Sequence, residues 1–122
     1  MADPKHAVCQ ELLLRYPGPL AVPALCIAEV AYIASRRLGW DTEVRFLGAL
    51  TAGDLTVEQL HPADLERIAE LVSAYRDLPL GTTDASVVAA AERLDVTTIA
   101  TLDKRHFSVV RPAHADSFEL VP

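Results

Sequence analysis

The chain has 122 residues, 51% of them hydrophobic and 23% charged, with a formal net charge of −6. That size fits one domain with a real core and is too small for two. The negative balance excludes a protein that grips nucleic acid through a broad basic surface, so any nucleic-acid chemistry here is local and metal-assisted. No apolar run reaches the roughly 18 residues of a membrane span. The N-terminus carries no basic region followed by an apolar segment, which points to a cytoplasmic setting. Cys9 and Cys26 lack metal-ligand spacing and are expected as reduced core thiols.

In chain order, Pro4 to Arg15 fits an amphipathic helix capped by Asp3, and Tyr16-Pro17-Gly18-Pro19 ends it. Leu20-Ala21-Val22 is a short apolar strand. Pro23 opens a helix that runs to Leu38 and closes at Gly39. Asp41 is placed to cap a third helix, Thr42 to Ala52, which Gly53 stops, and Leu55 to Leu60 alternates as a strand. Leu65, Ile68, Ala69, Val72 and Tyr75 mark one stripe of a helix from Pro62 to Arg76. Thr82 or Thr83 caps the next helix, Asp84 to Leu94, and the β-branched run Val96 to Leu102 reads as a buried parallel strand. Phe118 to Val121 is the last strand. Strands alternating with helices at this spacing predict an α/β domain on a mostly parallel sheet.

Three acids stand in apolar surroundings. Glu29 is the only charged residue between Leu20 and Ser35, and its apolar helical neighbours Leu25, Cys26, Tyr32 and Ile33 argue against a surface position. Asp84 shares a stripe with Val87, Val88 and Ala91, and Asp103 follows an apolar strand at the end where α/β sheets gather ligands. Each has a plainer reading: a buried pair of Glu29 with Arg36 or Arg37, an Asp84 that complements a helix dipole, and an Asp103 that begins a turn. Together the three carboxylates suit a hard cation, magnesium or manganese, because no histidine or thiolate joins them at ligand spacing. Such a site fits phosphodiester hydrolysis. Lys104-Arg105-His106 beside Asp103 is either a phosphate-holding cluster or a solvated loop.

The order of these motifs resembles the PIN-domain ribonucleases, in particular the VapC-type toxins of bacterial toxin–antitoxin pairs. Val22-Pro23 with Ile27-Ala28-Glu29, Leu80-Gly81-Thr82-Thr83-Asp84-Ala85, and Thr101-Leu102-Asp103-Lys104-Arg105-His106-Phe107 carry the likeness, which covers nearly everything from Pro4 onward. The resemblance implies a three-layer PIN-like domain over residues 1–122, its central sheet flanked by helices. It also implies a magnesium- or manganese-dependent endoribonuclease that cuts a tRNA or an rRNA loop. Glu29, Asp84 and Asp103 would be its catalytic metal ligands, and Lys104 and Arg105 its RNA contacts. A homodimer and a VapB-type antitoxin partner are implied too. Such proteins begin with a strand carrying a further Asp, whereas this chain enters the following helix almost directly, so Asp3 is not equated with that acid. The competing expectation is a catalytically inactive PIN-like module that binds an antitoxin or other protein through the apolar surface of its early helices.

Overall fold

The computed structural model describes residues 20–101 and 105–121. The expected helix from Pro4 to Arg15, together with Cys9, Asp103 and Lys104, lies outside those residues. The chain forms two compact units, residues 19–90 and residues 1–18 with 91–122.

In the first unit, strand β1 (Leu20–Pro23) pairs in parallel with β2 (Leu55–Glu58), in the register Leu20↔Leu55, Ala21↔Thr56, Val22↔Val57 and Pro23↔Glu58. The second strand is shorter than the Leu60 boundary expected. Its partner ends at Pro23, which has no N–H to donate and leads straight into a one-turn 3-10 helix, Ala24–Cys26. Parallel strands need a crossover, and here it consists of two helices, α1 (Ile27–Leu38) and α2 (Trp40–Ala52).

A single residue, Gly39, separates α1 from α2. At φ +99° and ψ 165° it occupies backbone space that is essentially reserved for glycine. Its N–H donates to Ser35 at 3.1 Å, and its carbonyl accepts from the N–H groups of Thr42 and Glu43. Because one glycine ends α1 and begins α2, no position remains for a side-chain cap. Asp41 therefore lies inside the first turn of α2, not ahead of it as expected. Gly53, at φ +86°, ends α2, and the Asp54 N–H reaches back to the Ala49 carbonyl at 3.0 Å.

Helix α3 (Pro62–Ala74) starts with a capping box. Asp64, only 6% exposed, accepts the His61 backbone N–H at 3.0 Å. The helix ends two residues before Arg76, with the Leu80 N–H turned back onto the Tyr75 carbonyl. Helix α4 (Thr82–Leu94) opens with the Ala85 N–H on the Gly81 carbonyl at 2.9 Å, so Thr82 and Thr83 belong to its first turn and are not its caps. Leu71, Leu80 and Val88 are the largest fully buried side chains of this unit.

In the second unit, Asp95 at φ +56° turns the chain out of α4, and the Val96 N–H bonds the Ala91 carbonyl at 2.9 Å. Strand β3 (Thr98–Ala100) then pairs in parallel with β4 (Glu119–Val121). Both are shorter than expected, although hydrogen bonds from Thr101 to Val121 and from Glu119 to Thr97 extend the pairing at its ends. The Ala113 N–H donates to the Glu92 carboxylate at 2.7 Å, and a His114 ring nitrogen lies 2.8 Å from the Val96 carbonyl. Both strand pairs among the described residues are parallel, as the α/β pattern predicts. No described helix is long and apolar enough to cross a membrane.

Candidate active site

The site begins where β1 gives way to helix. Pro23 ends the strand, the 3-10 turn brings Cys26 to the N-cap position of α1, and Glu29 follows in the first turn. A negative charge there complements the helix dipole. Cys26 is 8% exposed and free of disulfide, as expected of a core thiol.

Opposite it stands the start of α4. The Ser86 hydroxyl donates to the Thr83 carbonyl at 2.5 Å, and Cys26 Sγ lies 3.9 Å from both that carbonyl oxygen and Ser86 Oγ. These contacts bring together two turns distant in sequence, one holding Glu29 and the other Asp84. Burial pushes the Cys26 thiol above its ordinary range. The Ser86 hydrogen bond pulls it down, and the negative charges of Glu29 and Asp84 push it up again.

The two acids differ in their surroundings. Asp84 is half-buried beside fully buried Ala85 and Val88, with Ala91 also inside, which fits the inward stripe read from the sequence. Glu29 is exposed, so the expectation that its apolar neighbours exclude a surface position is corrected. Those neighbours are themselves open: Tyr32 is 60% exposed, Ile33 43% and Leu25 38%. The apolar residues of α1 line a surface, and only Cys26 and Ala31 at this end are buried. Arg36, offered by the sequence as a partner for Glu29, instead engages Tyr32.

Asp103 and Lys104 fall outside the described residues. Arg105 is exposed, and its carbonyl accepts the Ser108 hydroxyl at 3.1 Å. The His106 carbonyl accepts the N–H groups of Val109 and Val110, so the chain is turning just beyond the strand end. Among the described residues no group of three or more His, Cys, Asp and Glu side chains could hold a metal ion. Glu29 and Asp84 offer carboxylate oxygens, the donor type that suits a hard divalent cation.

Sequence reading missed the joint between the two turns. Ser86 is the one hydroxyl in the stretch Ala85 to Ala91, and that interruption was the available signal. Cys26, three residues before Glu29 and three after a proline, sits at helix-cap spacing.

A parallel α/β frame with acids gathered at a strand-to-helix junction and a helix start defines a PIN-type domain. The chain belongs to the PIN domain family, whose profile matches residues 2–111. It is 35% identical over 121 residues to Ribonuclease VapC26 of Mycobacterium tuberculosis, covering 99% of this chain and 90% of that protein. Its fold is similar to the crystal structure of Mycobacterium tuberculosis VapC20, described as a sarcin-ricin loop cleaving toxin. That match has a TM-score of 0.75 at 16% identity and covers 84% of this chain and 79% of the other.

Proposed function

We propose that this chain is a VapC-type toxin, an endoribonuclease that hydrolyses RNA phosphodiester bonds with the help of magnesium or manganese. The observation that carries the reading is the contact, through Cys26 and Ser86, between the turn that holds Glu29 and the turn that holds Asp84, in a chain 35% identical to a VapC ribonuclease. Glu29, Asp84 and Asp103 would hold the cation. The chemistry such a cation supplies is positive charge against the oxygens of an in-line displacement at phosphorus. Cys26 and Ser86 keep the two described acids in register, and the half-buried setting of Asp84 limits the water that competes for its carboxylate. Lys104 and Arg105 bind the RNA phosphates beside Asp103. The substrate is a tRNA or an rRNA loop in the cytoplasm, the acting form is a homodimer, and a VapB-type antitoxin restrains it.

One observation favours a second reading, a PIN-like module that only binds a protein partner. Tyr32, Ile33, Trp40, Val44 and Leu47 of the first two helices are all exposed, Trp40 at 74%. A manganese titration by calorimetry, followed by RNA cleavage assays, separates the two. The ribonuclease reading requires manganese binding and cleavage that are both lost in Asp103→Asn. A folded wild-type chain that binds no manganese leaves the binding module standing.

A further inference from the structure

Residues three, four and seven apart share one side of a helix, so Glu29, Tyr32 and Arg36 form a single stripe along α1. Tyr32 is the most exposed large apolar side chain of that helix, at 60%. The ring is nevertheless held. The Arg36 guanidinium carbon lies 5.7 Å from its centroid, and Arg36 Nη1 donates to the Tyr32 hydroxyl at 3.4 Å. A flat, exposed aromatic face with a planar cation fixed beside it is the chemistry that takes an unpaired nucleobase: the ring stacks on the base while the guanidinium meets a phosphate or adds a cation–π contact.

Charge points to the same occupant. The chain carries a net charge of −6, yet the charged side chains of α1 beyond Glu29 are Arg36 and Arg37 in its last turn. A polyanion is thus drawn to the far end of the helix while its backbone passes the acid one to two turns away. We propose that Tyr32 and Arg36 form a stacking platform for an unpaired base of the RNA, adjoining the phosphate processed at Glu29. This deepens the ribonuclease reading and rests on it.

The test uses the full chain in EDTA, which prevents cleavage, and reads the anisotropy of a short fluorescein-labelled oligoribonucleotide. The comparison strand carries abasic riboses at the same phosphates. Wild type should bind the base-bearing strand about tenfold more tightly than the abasic one, the scale of one base stacked on an aromatic ring. Tyr32→Leu should bring the two strands within about twofold of each other, and Tyr32→Trp should restore the difference. Circular dichroism melts confirm that each variant folds. Discrimination that persists in Tyr32→Leu overturns the platform, and so does a wild type that cleaves RNA without discriminating, while the ribonuclease reading survives both. If Tyr32→Leu keeps its discrimination and instead changes elution in size-exclusion chromatography, the ring serves a protein interface and the platform is again overturned. A wild type that neither binds nor cleaves RNA with manganese present removes both readings.

Discussion

Cys26 Sγ and Ser86 Oγ lie 3.9 Å apart, and the same serine hydroxyl donates to the Thr83 carbonyl at 2.5 Å. Through this joint the start of α1 and the start of α4 hold each other, and with them Glu29 and Asp84. Ser86 is 4% exposed, so Ser86→Ala removes a buried hydrogen bond at a cost of about 1 kcal/mol. Manganese affinity should fall by several-fold in this variant, and Ser86→Thr should recover part of the loss. Calorimetry alongside urea denaturation checks both, and unchanged manganese affinity would mean that the joint does not position the acids.

The Cys26 thiol supplies a pH-dependent readout. Its folded-state value is raised above the ordinary 9.0, chiefly by burial. A thiol that holds its proton more tightly when folded stabilises the fold fully below 9.0, and that stability declines as pH rises from there through the folded-state value. Glu29→Gln and Asp84→Asn each remove a negative charge that pushes the thiol up. In a Cys9→Ser background, each should therefore make Cys26 react faster with iodoacetamide at a fixed alkaline pH. Equal rates in wild type and both variants would show that the two carboxylates do not act on the sulfur.

Glu29 is exposed, which separates its role from folding. Glu29→Gln should change stability by no more than about 0.5 kcal/mol while abolishing manganese-dependent RNA cleavage. Parallel melting and cleavage assays decide this, and a large drop in melting temperature would show that the acid serves the fold.

Gly39 is a backbone requirement. Any Cβ there meets Asp41 Oδ1 at 3.0 Å, a contact that a mobile side chain can relieve, but the φ of +99° remains. Gly39→Ala should cost about 1–3 kcal/mol through the backbone. By contrast Leu71→Ala, at a side chain 1% exposed, should cost about 2–5 kcal/mol through the cavity it leaves. Equilibrium denaturation ranks the two, and a Gly39→Ala protein as stable as wild type would show that the helix junction tolerates a side chain.

The alternation of apolar runs and turn residues was enough to read the α/β frame, because period and punctuation are local properties. Gly39 and Gly53 marked their boundaries for the same reason, whereas Pro23, expected to open a helix, is the last residue of β1, and α1 begins only at Ile27. Boundaries set by a partner were less legible: β2 stops at Glu58 because β1 stops at Pro23, and no window around Leu60 contains that information. Asp84 was placed correctly on an inward stripe from its neighbours three, four and seven residues on. At Glu29 the apolar neighbours imply a buried face that the fold does not make. A helix with an apolar side facing outward looks the same in sequence as one facing inward, and only the fold distinguishes Tyr32 at 60% exposure from a core residue. The Cys26–Ser86 joint was hidden for a related reason, since it links two segments that nothing local connects.

The exposure of Glu29 also bears on how such a domain changes over generations. If Glu29 holds the cation, an acid that adds so little to folding is kept chiefly by selection for cleavage. Once that selection relaxes, a single base change can replace it without harming expression or solubility. The exposed apolar face of the first two helices would survive the change intact. A descendant would then inherit a folded chain that no longer cuts and still has a surface with which to recognise a partner.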